Sequence, residues 1–328
     1  MKENRERLSL FVENAGAMKK GFAWHHGMVN RLAALLYAVE DKQVDIAAIK
    51  DNMDRIKKNT GMFSSFRGNV SFAAQLALSD EPDTRLLHAL DVFDLLKNVK
   101  FRSSPYLPVA AYQIAAHSTK DQFADVVARA KAFYTAMKSN HPYLTGQDDY
   151  IYAAMLALSD IEVEAGTARM EQFYTELKSE LRRGNALQAL TQVLVLGAGD
   201  EEPAARVLRL KDAFRSRGIK MDRSDTLSSI GVLALLPSED GELVENLVQT
   251  FEWLRTQKGF GRWSVTEPEL LLYCTALVAY QHVQELSSRV SFTTLSTSLT
   301  NILIAQEAAM TAAATASVVA ASSSSSSD

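Results

Sequence analysis

"LALSD" (Leu76–Asp80) occurs again as "LALSD" (Leu156–Asp160), 80 residues further along the chain. Half that interval gives a register of 40, and every fortieth residue from Leu36 reads Leu36, Leu76, Ala116, Leu156, Leu196, Leu236, Ala276. Four residues later the column is mostly acidic: Glu40, Asp80, Lys120, Asp160, Asp200, Asp240, Tyr280. A third column is mostly large and apolar: Met53, Phe93, Phe133, Phe173, Ala213, Trp253, Thr293, with Phe214 and Phe292 beside its two poor members. Self-similarity at such a period is the signature of stacked supersecondary units.

Each unit reads as two helices. Helix A precedes the acidic column. In "YIYAAMLALSD" (Tyr150–Asp160) nearly every position is apolar, so this helix is expected to be buried on most sides. Helix B follows the column and is amphipathic: Phe123, Val126, Val127, Ala130, Phe133, Tyr134 and Met137 keep a 3.6-residue period, with charges between them. The turn from A to B is short. Its acids, Asp80 and Asp160 among them, are expected to cap helix B, with Pro82 tolerated in the first turn. A further helix near Glu3–Lys19, carrying Leu8, Phe11, Val12, Ala15 and Met18 on one face, is expected to cap the array.

The fold class is therefore all-α: about seven 40-residue α/α helix pairs, forming a toroid-like or superhelical solenoid. One such domain is expected over residues 1–310, with an Ala/Ser-rich low-complexity tail over 311–328. Ile302–Ala321 has the length of a membrane span. Gln306 and Glu307 interrupt it, however, and Ala and Thr dominate the rest, so no membrane anchor is expected. The net charge of −4 and the lack of a basic run argue against a nucleic-acid partner. The single cysteine, Cys274, excludes an internal disulfide and fits a cytoplasmic protein.

The connections from B back to A are longer and richer in unusual residues. They are "GFAWHHG" (Gly21–Gly27), "TGMFSSFRGN" (Thr60–Asn69), "FRSSPYLP" (Phe101–Pro108), "HPYLTGQDDY" (His141–Tyr150), "LRRGN" (Leu181–Asn185), "KMDRSDT" (Lys220–Thr226) and "GFGRWSVTEPE" (Gly259–Glu269). Function commonly resides in loops that a rigid scaffold holds. The candidate binding residues are accordingly His25, His26, Arg67, His141, Asp148, Asp149, Arg183, Asp222, Asp225, Arg262, Trp263 and Glu267. Some have a simple structural use as well: Asp148 or Asp149 can cap the helix that follows, and Thr266 with Glu269 fits a capping box.

"HPYLTGQDDYIYAAMLALSD", followed by "RRGNALQALTQVLVLG", resembles an uncharacterised bacterial family known only as a domain of unknown function. That resemblance implies no activity. "GFGRWSVTEPELLLYCTAL" (Gly259–Leu277) is similar to the repeats of protein prenyltransferases and triterpene cyclases, which implies an α/α toroid around a cavity. The reactions do not carry over. Cys274 lies inside an apolar helix rather than beside Asp and His ligands, and "QDDY" (Gln147–Tyr150) is only a fragment of an Asp-rich motif.

No H-E-x-x-H, C-x-x-C or G-x-S-x-G is present, and neither a cofactor nor a metal is expected. "GAMKKGF" (Gly16–Phe22) has P-loop spacing but Phe22 in place of the lysine. Two readings remain. One is a helical-repeat scaffold that binds a protein, peptide or small-molecule ligand through the B-to-A loops. The other is a toroid enzyme, for example a glycan hydrolase, using carboxylates such as Asp149 or Glu267. The adjacent pairs His25/His26 and Asp148/Asp149 point about 100° apart on a helix, which weakens either pair as a shared metal site.

Overall fold

A computed structural model describes residues 2–62, 64–197 and 202–289. Asp200 and Thr293 of the columns, the Ile302–Ala321 stretch and the Ser-rich end lie outside them. All regular elements among the described residues are helices. They are α1 (Lys2–Gly21), α2 (Gly27–Val39), α3 (Ile46–Asn59), α4 (Val70–Leu78), α5 (Pro82–Asn98), α6 (Leu107–His117), α7 (Phe123–Asn140), α8 (Asp149–Leu158), α9 (Val163–Leu177), α10 (Asn185–Gly197), α11 (Pro203–Ser216), α12 (Leu227–Leu235), α13 (Asp240–Thr256) and α14 (Glu267–Arg289). A short 3₁₀ turn, Lys120–Gln122, precedes α7.

Buried and amphipathic helices alternate. In α8 every residue from Asp149 to Ala157 is buried. In α5 only Leu86, Ala89, Val92 and Leu96 are, one face of the helix. The even-numbered helices thus correspond to helix A of the sequence and the odd-numbered ones from α3 onward to helix B. α1 is the expected leading helix, burying Leu8, Phe11, Ala15 and Met18.

The chain packs as two compact units, residues 2–134 with Gly146–Leu158, and Thr135–Thr145 with 159–289. In the first, α2 packs on α4 and α6 on α8, while α1, α3 and α5 each cover the buried helix that follows. In the second, α12 lies between α10 and α14, while α9, α11 and α13 cover α10, α12 and α14. Gly231 lies where α10 and α12 meet: a Cβ there would sit 2.6 Å from Leu190 Cδ1 and 3.2 Å from Val193 Cγ1.

The acidic column does not cap helix B. The N-cap positions of α5 and α9 are Glu81 and Glu162, neither with a side-chain cap bond, and Asp80 and Asp160 are exposed. The reason is register, since α5 starts at Pro82 and α9 at Val163, past their Asp, while α13 starts at Asp240 itself. The serine of "LALSD" holds the turn instead. Ser79 Oγ accepts from the Glu81 N–H at 3.3 Å, and Ser159 Oγ from the Ile161 N–H at 3.4 Å.

Arginines secure the other side of these turns. Arg129 Nη1 on α7 donates to the Ala157 carbonyl at the end of α8 at 2.8 Å, and Arg85 on α5 donates likewise to Ala115 on α6. Arg206 on α11 reaches the Ala234, Leu236 and Ser238 carbonyls and pairs with Asp240. A guanidinium here satisfies free C-terminal carbonyls and complements the negative end of the helix dipole.

Candidate functional site

The B-to-A connections fall where the sequence reading puts them, between each odd-numbered helix and the buried helix after it. In the second unit one of them forms the wall of a cavity of about 670 Å³. Gly218 and Ile219 line it from the end of α11, Phe251, Glu252 and Arg255 from the last turns of α13, and Arg262, Val265 and Glu267 from the connection to α14.

Local sequence explains each wall. α11 stops because Gly218 takes φ +78°, with its N–H bonded to the Arg215 carbonyl at 3.0 Å and the Ile219 N–H to the Phe214 carbonyl at 3.0 Å. This 6→1 and 5→2 pair is a Schellman ending, which favours glycine at its left-handed residue. The α13–α14 connection is folded around one side chain. Arg255 Nη1 donates to the carbonyls of Val265 at 2.7 Å and Phe260 at 3.1 Å, and its guanidinium lies 5.2 Å from the Phe251 ring centre. Buried Phe260 and Val265 anchor the loop from below. Thr266 Oγ1 then accepts the Glu269 N–H at 3.3 Å, one of the two bonds of the capping box expected from the sequence. The Glu269 carboxylate turns to the Tyr273 hydroxyl.

Three side chains of this wall are charged and not hydrogen-bonded. Arg262, Glu252 and Glu267 make no hydrogen bond within the described residues. Arg255 is shifted below its ordinary value, first by burial and then by the nearby Arg262, with Glu267 acting in the opposite sense. It stays charged, because a guanidinium cannot be deprotonated in a protein. Trp263, next to Arg262, is fully exposed.

Of the twelve sequence candidates the cavity brings together Arg262 and Glu267. Trp263 adjoins them in the chain. The others in this unit stand apart from its lining. Asp222 pairs with Arg215, while Asp225 and Arg183 are exposed. His141 lies 2.8 Å from Glu171 and against the Tyr174 ring, which ties its loop to α9.

The remaining candidates belong to the first unit, where Arg67 and Asp149 hold their own loops in place. Arg67 donates to the Lys57 and Thr60 carbonyls at 2.6 and 2.7 Å, closing the end of α3. Asp149 is buried and accepts the Gly146 N–H at 2.7 Å; it is the first residue of α8 and acts on the connection in front of it. Asp148 lies near Tyr106, whose hydroxyl is pushed up by burial first and by that carboxylate second. His25 sits edge-on to Phe22 at 5.6 Å, and His26 occupies the N-cap position of α2 without a cap bond.

Arg255 was not among the candidates. It stands in the last turn of an amphipathic helix, where a basic residue reads as a solvated complement to the dipole. Its one signal is position, a turn ahead of the Gly-rich "GFG" (Gly259–Gly261).

Cys274 is fully buried, and burial pushes its thiol far above the ordinary range, so it is no nucleophile. Among the described residues no group of three or more His, Cys, Asp and Glu is arranged to hold a metal ion, and no helix is long and apolar enough to cross a membrane.

Fold and cavity define an all-α protein of alternating buried and amphipathic helices. The chain belongs to the family described as "Protein of unknown function (DUF4003)", whose model matches residues 15–309. No curated protein and no solved structure matches it.

Proposed function

We propose that this is a cytoplasmic helical scaffold that binds a protein or peptide partner at its B-to-A connections, with the cavity of the second unit as the seat of binding. The observation that carries this reading is the placing of Arg262 and Glu267, neither hydrogen-bonded within the described residues, on the cavity wall with fully exposed Trp263 beside them in the chain. Trp and Arg are the residue types most enriched at binding hot spots, and a cavity of this size suits a drug-sized ligand or a short segment of chain. An inert, buried thiol is at home in a reducing compartment. A polyanion suits the surface poorly, since the chain carries a net charge of −4 and two carboxylates line the cavity.

The test is a thermal-shift screen of peptides and small polar compounds against the wild type and the double variant Arg262→Ala/Trp263→Ala. Both side chains are exposed, so the variant keeps its fold. Ligands that raise the wild-type Tm are expected to bind the variant at least about tenfold more weakly, a loss of ~1.4 kcal/mol. Equal stabilisation of both proteins, or consumption of a ligand with turnover, overturns the reading.

A further inference from the structure

We infer that the cavity of the second unit is a receptor for a carboxylate carried beside a cationic group, as at the C-terminus of a peptide with a basic residue near its end. The inference rests on the scaffold reading above and names its ligand chemistry.

Arg255 is held by its loop with part of its guanidinium unused. Its Nη1 hydrogens are taken by the Phe260 and Val265 carbonyls, and Phe251 lies beneath the guanidinium. Nε and Nη2 make no hydrogen bond within the described residues. Those two N–H groups form the side-on edge that meets a carboxylate in a two-point contact. The edge is also preorganised, because the loop has already fixed the rotamer, and a ligand does not have to order it. Burial adds to this. A partly desolvated guanidinium with two unused donors gains more from an anion than a surface arginine does, since removing water strengthens the contact.

The charges of the cavity lining balance. Arg255 and Arg262 face the same cavity as Glu252 and Glu267. A dianionic phosphate would gain from the arginines and be repelled by the carboxylates. A ligand with one carboxylate and one ammonium or guanidinium satisfies both sets. Arg262 is then the second carboxylate contact, and Glu267 and Glu252 receive the cation. A volume of about 670 Å³ exceeds what a single amino acid fills and suits a tripeptide. Free amino acids offer the same chemistry, so the experiment separates the two sources.

The experiment uses the full chain and a positional tripeptide library in two forms, free acid and C-terminal amide, with free lysine and arginine as a further arm. Binding is measured by calorimetry on the wild type, Arg262→Ala and Glu267→Gln. The free acids are expected to bind at least about tenfold more tightly than the amides, with a preference for Lys or Arg in the sequence. Arg262→Ala should reduce acid binding by roughly tenfold, and Glu267→Gln should reduce the basic preference alone. Acid and amide are compared on the wild type, so this result does not depend on any variant folding.

Acids and amides binding equally well, both weakened by Arg262→Ala, would overturn the carboxylate inference and leave the scaffold reading standing. Binding of free lysine or arginine as tight as any tripeptide would keep the chemistry and overturn the peptide source. No binding by any arm overturns the inference, while the scaffold reading is judged by its own screen.

Discussion

At Asp240 an acid of the recurring column meets Arg206 at 2.7 Å and Arg209 at 3.1 Å. Burial alone would raise its carboxyl. The two guanidinium groups more than offset that, and it titrates below the ordinary carboxylate value. Its folded value therefore lies below an unfolded value near ~3.9. The stabilisation is complete above that pH and is lost as pH falls through the folded value. Asp240→Asn is expected to cost about 1–2 kcal/mol at pH 7, with the gap closing below roughly pH 4. Urea melts of both proteins at pH 7 and pH 3 measure it; a gap unchanged at pH 3 would assign the effect to packing. The sequence correctly singled out the column and misread its use. Capping depends on where a helix starts to within one residue, which a 40-residue register does not resolve. The partner arginines stand more than 30 positions away in sequence.

The helices themselves were largely legible, because burial writes itself into spacing. An inner helix such as α8 is apolar all round, and an outer one such as α5 is apolar every third or fourth position. What spacing does not show is how closely two buried helices approach. Gly231 on α12 contributes to that, as does Gly197 on α10 against Leu235, and a propensity reading would count either glycine only as a weak point in its helix. Gly231→Val is expected to destabilise the protein by about 2 kcal/mol or more through overpacking against Leu190 and Val193. Leu190→Ala made in the same chain should recover part of that loss, because it vacates the nearest contact at 2.6 Å. Denaturant midpoints of the two single variants and the double variant test this. Two additive losses would count against α10–α12 contact as the cause. Arg255 was illegible for the same kind of reason: its two carbonyl partners are loop atoms whose position follows from the fold of residues 257–266.

For the whole molecule, the family match takes in both units, whereas the cavity belongs to the second alone. Of the candidates of the first unit, Arg67 and Asp149 are engaged in holding their own connections. Arg262 and Glu267 line the cavity, and exposed Trp263 lies between them in the chain. The central claim is that this B-to-A end of the second unit is the working surface. Hydrogen exchange, followed with and without the tightest ligand from the stability screen, tests it most directly. The account predicts slowed exchange at 217–220 and 257–267. Protection confined to the opposite turn of the same unit, at 236–239, with no change in those two segments, would contradict it.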